Sequence, residues 1–287
     1  MSSKRQKHAE QRKTAARSQS QSSGRTIFLL GKPVRENTLF PELFALLEAE
    51  GQEVHVHLPH ASGVFFPPWA RADDTLLHRG LFPGVLAALA LQEQAGLRFY
   101  NRIAATRLVM NRLELHQRLA DAGLPIPDWQ RVDNWDEILE LRPGKDLIIK
   151  AANGFIGRGA GVVRLERRQR GLPPPCAEPS FPAPYVAEEL IAGDGWDRKL
   201  YVVGKECRGL LKKWPREEGR SSRPFSPDAE LSDLAVRAGQ ALGLEIYGTD
   251  FVIGPDGPVT VDVNPFPSFK GIPDAASLIA GYLRSRR

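Results

Sequence analysis

Apolar and polar residues follow two different periods along the chain, and together these periods predict a mixed α/β protein. Thr26–Leu30 is an apolar run that ends at Gly31, and Glu53–Leu58 alternates apolar and polar residues, so both are predicted strands. Between them, Pro41–Glu50 carries apolar residues at helical spacing and ends before Gly51. A strand, a helix and a second strand form a βαβ unit, which predicts a small parallel sheet.

The same pattern continues to about residue 104, where a first domain is predicted to end. Thr75–Leu77 and Leu97–Tyr100 are predicted strands, and Pro83–Gln94 is a predicted helix with proline in its first turn. Leucines at helical spacing then predict a single helix over Ile103–Ala120. The predicted organisation is a polar tail over 1–24, an α/β domain over 25–104 and a second domain over 105–287.

A glycine-rich stretch follows the predicted strand Asp146–Ile149 and the next residue, Lys150. Glycine frees the backbone, so successive N–H groups can turn inward around a phosphate, and Lys150 would add a positive charge. The following VVRL pattern predicts a strand, so the spacing fits neither a Walker-A loop nor GxGxxG opening a helix. We expect a flap between two antiparallel strands that closes over a nucleotide. Its glycines are Gly154, Gly157, Gly159 and Gly161.

A second informative stretch near the C-terminus predicts an antiparallel hairpin. Two β-rich runs, Thr249–Ile253 and Val259–Val263, flank the turn-forming cluster Gly254–Pro258. If the whole cluster forms the loop, counting outward from it places Asp250 directly opposite Asp262.

Side chains alternate along a strand, so Asn264 shares a face with Asp262. Like charges directly opposite one another destabilise a strand pair, so a positive charge is expected between Asp250 and Asp262. Mg²⁺ takes oxygen ligands of this kind and completes its shell with water and substrate phosphates. The hairpin therefore predicts a metal site, whereas the alternative is a solvated hairpin with ordinary surface acids.

Charge is distributed unevenly along the 287 residues, whose net charge is +5. The first 25 residues hold seven of the 39 Lys and Arg residues and one of the 34 Asp and Glu residues, so the rest of the chain is close to neutral. The polar tail predicts disorder and has no apolar core of a secretory signal. We therefore favour a solvated tail over a nucleic-acid-binding arm, and we disfavour nucleic acid as a partner.

Cysteine, histidine and hydropathy patterns add limits on location and metal type. Cys176 and Cys207 are the two cysteines and form no CxxC pair, which favours a reducing cytoplasm. The chain has no run of about 20 apolar residues, so no membrane partner is expected. His55, His57 and His60 raise a zinc hypothesis, which we disfavour because the sequence offers no convincing fourth ligand nearby.

Several segments, in order, resemble the ATP-grasp superfamily from about residue 25 to about residue 283. They are RLELHQRLADAGLPIPDW, the lysine and flap, YVAEELI, GTDF and VDVNPFPSFKGI. The order is most similar to RimK-like and glutathione-synthetase-like carboxylate–amine ligases. The resemblance implies an α/β fold with a small parallel-sheet domain before a two-lobed ATP-grasp domain of antiparallel sheets. The nucleotide lobe would span about 125–190, and the metal-binding lobe about 191–287.

The resemblance also implies a role for each matching residue. Lys150 would bind phosphate, and Asp197 would contact ribose or lie near it. The adenine hinge would be Glu188, Glu189 and Leu190, the flap would contain the four glycines, and the Mg²⁺ ligands would be Asp250, Asp262 and Asn264.

The chain departs from the family pattern at two positions. Arg112 stands where the family usually has an ATP-binding lysine, and a planar guanidinium binds phosphate with a different geometry. Asp262 stands where the family commonly has glutamate, which is one methylene longer.

The function implied by the resemblance is an ATP-dependent ligase that uses Mg²⁺, or Mn²⁺ in its place. It would activate a small-molecule or peptide carboxylate as an acylphosphate and join it to an amine. Arg220, Arg223 and Lys270 are candidates for holding an anionic substrate. A hydroxyl kinase similar to inositol-phosphate kinases, and a non-catalytic ATP-binding module, are the alternatives. The sequence assigns no oligomeric state.

Overall fold

The computed structural model describes residues 24–141, 145–153, 162–166, 181–213 and 222–286. Nearly all of the predicted polar tail, the glycine flap and Arg220 lie outside these residues.

The first part of the chain forms a parallel sheet covered by helices, as predicted. Its strands are β1 (Arg25–Leu30), β2 (Glu53–His57), β3 (Thr75–Arg79) and β4 (Phe99–Tyr100), in the order β2-β1-β3-β4. All of the pairings are parallel. The helices between them are α1 (Phe40–Ala49), α2 (Pro59–Ser62) and α3 (Pro83–Gln94).

The single helix predicted over Ile103–Ala120 is wrong, because the chain forms two helices. These are α4 (Ile103–Met110) and α5 (Arg112–Asp121). Asn111 between them has extended backbone angles, and its side-chain oxygen accepts a hydrogen bond from the N–H of Leu113. Asparagine is a preferred N-cap, so the break starts a new helix at Arg112.

The middle of the chain forms an antiparallel sheet with its own apolar core. Its strands are β5 (Trp129–Val132), β6 (Leu147–Ala151), β7 (Val162–Leu165) and β8 (Tyr185–Glu189), in the order β5-β8-β6-β7, and α6 (Trp135–Glu140) packs beside them. The antiparallel pairing of β6 with β7 confirms that two such strands flank the glycine-rich segment.

The last part of the chain forms a second antiparallel sheet, in the order β11-β10-β9-β12-β13. The strands are β9 (Trp196–Val203), β10 (Glu206–Lys213), β11 (Arg223–Phe225), β12 (Ile246–Gly254) and β13 (Gly257–Pro265). Helix α7 (Ala229–Leu242) matches its prediction, and α8 (Ala275–Ser285) was not predicted. The mixed α/β fold class, with one parallel sheet and antiparallel sheets, is confirmed.

The parallel sheet is fixed to the last sheet by a shared core and by a buried asparagine. Phe28 and Leu43 belong to the same buried cluster as Tyr201 and Ile279. The Asn101 side chain donates to the carbonyl oxygen of Ile246 at 2.7 Å and accepts from two backbone N–H groups of the same segment. The parallel sheet thus lies directly against the hairpin that carries the predicted metal ligands.

Candidate nucleotide and metal site

The hairpin of β12 and β13 places Asp250 directly opposite Asp262, as predicted. The predicted five-residue loop is wrong, however, because Ile253 pairs with Pro258 and the strands continue almost to the tip. A bulge between Asp250 and Phe251 restores the register, since β13 accommodates one extra residue, Val261, at that point. The predicted facing of the two aspartates therefore occurs through a longer hairpin with a bulge.

Asp262 and Asn264 lie side by side on one face of β13. Asn264 Nδ2 donates to Asp262 Oδ2 at 2.9 Å. This bond does not use the amide oxygen of Asn264 or the other carboxylate oxygen of Asp262, and both are oxygen ligands of the kind that Mg²⁺ binds.

A lysine that the sequence analysis missed supplies the positive charge beside Asp250. Lys199 pairs with Asp250 across β9 and β12, and its Nζ lies 2.7 and 2.9 Å from the two carboxylate oxygens. Burial disfavours the charged lysine, but Asp250 and Asp262 outweigh it, so the pKa of Lys199 is raised above its ordinary value. Lys199, Asp250 and Asp262 thus form a row across three strands.

This donor set fits a divalent cation only if Asn264 takes part. Among the described residues, no three His, Cys, Asp or Glu side chains are grouped closely enough to hold a metal. Asp250 and Asp262 supply two carboxylates and Asn264 an amide oxygen, which together suit Mg²⁺. Asp250 would share its oxygens between the metal and Lys199.

Lys150 connects the middle sheet to the hairpin. Its Nζ donates to the carbonyl oxygen of Val261 at 2.7 Å and lies 2.5 Å from Glu188 Oε1. Val261 is the bulge residue next to Asp262, so the bulge presents a carbonyl oxygen to the lysine. Lys150 is buried, yet it reaches the edge of the row of charged residues.

Glu188 is buried between two basic side chains rather than open to a ligand. Its Oε1 contacts Lys150, and it also lies 2.6 Å from His116 Nε2 on α5. Burial alone would raise the pKa of Glu188, but the charge of Lys150 and the bond from His116 hold it below its ordinary value of 4.5. Sequence reasoning did not identify His116, whose signal is a polar residue on the inner face of a helix.

The rest of the predicted hinge is already bonded within the protein. Glu189 pairs with Lys145 at 2.6 Å, and its backbone N–H donates to the carbonyl oxygen of Asp128. The N–H of Leu190 donates to the carbonyl oxygen of Asp146 at 3.0 Å. An adenine ring at this hinge would therefore have to use other backbone groups.

Arg112 and Asp197 lie at the borders of the same region. The Arg112 guanidinium donates to the carbonyl oxygen of Ala151, at the end of β6, at 2.7 Å. Asp197 pairs with Lys212 across β9 and β10 and points to the same side of the sheet as Lys199.

The two predicted anion-binding residues that the structure describes, Arg223 and Lys270, lie in different parts of the fold. Arg223 contacts the ring of Trp196, with its guanidinium carbon 5.2 Å from the ring centre. Trp196 is three positions before Lys199 on β9, and Arg223 pairs through β10 with the neighbour of Lys199. Side chains alternate between faces along a strand, so both residues lie on the face opposite to Lys199. Lys270 is exposed in the turn after Phe269, and Arg220 lies outside the described residues.

The loop after Asn264 contacts the parallel-sheet domain. Phe266 and Phe269 have positive φ angles of 40° and 52°, which are uncommon for residues other than glycine. Arg79, at the end of β3, donates through Nε to the carbonyl oxygen of Phe266 at 3.1 Å. Arg79 therefore links the parallel sheet to the loop that follows Asn264.

The three histidines of the zinc hypothesis have separate partners. His55 Nε2 lies 2.7 Å from Glu53, and His57 Nε2 lies 2.7 Å from the carbonyl oxygen of Val64. His60 packs on the ring of Phe82 with 3.9 Å between ring centres. Among the described residues, no group of three metal-ligating side chains includes these histidines.

A separate cavity of about 600 Å³ lies at the other end of β9 and β12, lined by residues that include Gly204, Glu245 and Tyr282. It is remote from the row of charged residues and shares none of them.

Within the described ranges, no helix is both long and apolar enough to cross a membrane.

No protein-family model matches the chain. Its sequence is 27% identical over 217 residues to a probable alpha-L-glutamate ligase of Sodalis glossinidius, covering 70% of this chain and 73% of that protein. It is 28% identical over 198 residues to a ribosomal protein bS6–L-glutamate ligase of Salmonella newport, covering 65% of each.

Solved structures show the same fold. A RimK-domain ATP-grasp protein from Sphaerobacter thermophilus matches with a TM-score of 0.70 at 22% identity, over 90% of this chain and 99% of that chain. The ATP-grasp ligase PsnB, in complex with a minimal precursor, Mg and ADP, matches with a TM-score of 0.64 at 21% identity, over 91% and 98%. These similarities agree with the predicted resemblance: the chain has the fold of these ATP-grasp proteins and is similar in sequence to glutamate ligases.

Proposed function

We propose that the chain is an ATP- and Mg²⁺-dependent ligase that activates a carboxylate as an acylphosphate and joins it to an amine. The observation that carries this proposal is the bond from Lys150 to the carbonyl oxygen of Val261, next to Asp262. It brings a phosphate-binding cation from one sheet against the candidate metal ligands of the other. Phosphoryl transfer depends mainly on such positioning and charge neutralisation.

The side chains of the site would bind different parts of the Mg²⁺–nucleotide complex, according to their charge. Lys150 would hold the transferred phosphate, and Arg112, near the end of β6, would add a second positive charge. Asp262 and Asn264, with Asp250, would hold Mg²⁺, which would supply positive charge against the charge that develops on the transferred phosphate. Lys199 would hold the carboxylate of Asp250 in place.

Both steps of the reaction balance without a further reactant. The carboxylate oxygen would attack the γ-phosphorus of ATP, with ADP as the leaving group. The amine would then attack the acyl carbon, release phosphate and lose a proton, which gives an amide. The loop after Asn264 and Arg79 border the space for the acceptor.

The names of the relatives favour a peptide or protein as the carboxylate substrate and an amino acid as the amine. A ribosomal protein and L-glutamate appear in the name of one relative, and PsnB is seen with its precursor. We also propose that the enzyme accepts Mn²⁺ and is located in the cytoplasm. We place a boundary between domains near residue 104 and the two lobes at about 125–190 and 191–287.

Hydroxylamine trapping tests the reaction type. The full chain is incubated with ATP, Mg²⁺, hydroxylamine and a panel of peptides and amino acids that offer free carboxylates. A ligase yields ADP and a hydroxamate from the activated carboxylate. ADP release with a stable phosphate ester and no hydroxamate would instead show a kinase and overturn the proposal. A non-catalytic module would bind the nucleotide without releasing ADP.

A further inference from the structure

His116 is a buried histidine to which the proposed reaction assigns no role. Its Nδ1 lies 2.6 Å from the carbonyl oxygen of Arg112, and its Nε2 lies 2.6 Å from Glu188 Oε1. We propose that His116 is a positioning residue, held as an imidazolium, that balances the charge of Glu188 and leaves Lys150 with its positive charge for the nucleotide. The last step rests on the proposed function, whereas the charge state does not.

The hydrogen-bond partners determine the protonation of the ring. A carbonyl oxygen only accepts hydrogen bonds, so Nδ1 must carry a hydrogen. An ionised carboxylate also only accepts, so Nε2 must carry one as well. A ring with hydrogen on both nitrogens carries a positive charge.

Glu188 is ionised in this arrangement. Its side chain is 2% exposed, and a buried carboxylate without partners would tend to take up a proton. Instead it has Lys150 at 2.5 Å and His116 at 2.6 Å. These two partners outweigh burial and keep the pKa of Glu188 below its ordinary value.

The resulting group holds one negative charge between two positive charges. With a neutral His116, Lys150 and Glu188 would form a neutral pair and attract phosphate less. With a charged His116, the group carries a net positive charge. Lys150 has three N–H donors, and among the described residues Val261 and Glu188 take two of them, which leaves one for a phosphate oxygen.

The charged residues that contact His116 or its partner Glu188 belong to three elements. From β5, the uncharged ring of Trp129 packs 5.2 Å from the imidazole. From its own helix, Arg112 presents a backbone carbonyl, while its guanidinium is bonded to Ala151. Arg112 from α5, Glu188 from β8 and Lys150 from β6 are thus the charged residues that contact the ring or its partner.

Nitrogen NMR of the full chain labelled with ¹⁵N-histidine measures the protonation directly. The chain has six histidines, and His116→Gln identifies the signals of His116. At neutral pH we expect both ring nitrogens in the imidazolium form, and a neutral ring in Glu188→Gln. A neutral His116 ring in the wild-type chain would overturn the proposal.

A double-mutant cycle on nucleotide affinity separates charge balance from a structural role. His116→Gln keeps a side-chain N–H donor but removes the charge. We expect it to weaken binding of a Mg²⁺-bound, non-hydrolysable ATP analogue by about tenfold in the wild-type background. In the Glu188→Gln background the same change should cost little, because there is no negative charge left to balance.

The remaining outcomes are also decisive. Equal losses in both backgrounds would show a structural role, and no loss in either would show no role, so either result overturns the proposal. If the wild-type chain binds no nucleotide, the proposed function fails, and the role of His116 toward phosphate fails with it. The NMR result then stands alone as the measure of the buried charge pair.

Discussion

Lys199→Met removes the positive charge beside Asp250, and its effect on stability should depend on Mg²⁺. Lys199 contacts both oxygens of Asp250 at 2.7 and 2.9 Å, with the two side chains 11% and 21% exposed. Removing one partner of a buried pair costs roughly 3–5 kcal/mol. Because water reaches about one fifth of Asp250, we expect about 2–3 kcal/mol from this pair, and up to about 1 kcal/mol more from unrelieved repulsion with Asp262.

The assay is urea unfolding followed by tryptophan fluorescence, with a metal chelator and then with excess Mg²⁺. Without metal, Lys199→Met should lower the free energy of unfolding by about 3 kcal/mol. Mg²⁺ should restore most of this loss, because a cation that binds the folded state stabilises it and would replace the missing charge. Mg²⁺ should therefore stabilise the variant more than the wild type.

Lys213→Met is the matched control. Lys213 lies in the same sheet, on the opposite face, with its Nζ 4.4 Å from the centre of the Trp196 ring. Its loss should cost about 0.5–1 kcal/mol and show no response to Mg²⁺. Unfolding of Lys199→Met at the wild-type urea concentration in chelator would refute the reasoning, and so would an equal gain from Mg²⁺ in both proteins.

Three further predictions concern single side chains. Lys150→Met leaves the buried carboxylate of Glu188 with one partner, so urea unfolding should show a free energy of unfolding lower by about 3 kcal/mol. Lys145→Met removes an exposed pair and should lower it by less than about 1 kcal/mol. Equal losses in the two variants would contradict this reasoning. Burial lowers the pKa of His78 to about 4 from 6.5. Between these pH values the unfolded chain binds a proton at His78 that the folded chain does not bind. The free energy of unfolding should therefore fall by about 3 kcal/mol from pH 6.5 to pH 4. His78→Gln should lack this pH dependence. In Gly239→Ala the new methyl would lie 2.1 Å from the Tyr247 hydroxyl, so thermal unfolding should show a loss of about 2 kcal/mol, whereas a gain would show that the ring can move.

The sequence predicted the strands and helices whose signals are local. The helix Ala229–Leu242 has an aspartate cap and a terminal glycine, and its predicted bounds agree with the structure. The break at Asn111 was missed because the leucine spacing continues through it, while the cause is a cap and a bond from Arg112 to the backbone of Ala152. Helix α8 was missed because its inner face packs on residues distant in sequence.

The candidate site was predictable only where its residues are close in sequence. Counting along the hairpin placed Asp250, Asp262 and Asn264 on one face. The structure keeps Asp250 opposite Asp262 through a bulge for which the sequence gives no signal. Lys199 and His116 were missed because their partners come from other strands, which no local pattern specifies. Arg223 was assigned by charge alone, and the register of β11 turns it to the opposite face.

The most direct test of the central claim is calorimetric titration of a Mg²⁺-bound, non-hydrolysable ATP analogue into the full chain and two hairpin variants. Asp262→Ala removes a proposed metal ligand, and Asp256→Ala makes the same change in the turn at the exposed tip of that hairpin. We predict that Asp262→Ala weakens binding at least about tenfold and that Asp256→Ala leaves it unchanged. Equal affinity of all three proteins, or no binding by the wild-type chain, would contradict the proposed nucleotide and metal site.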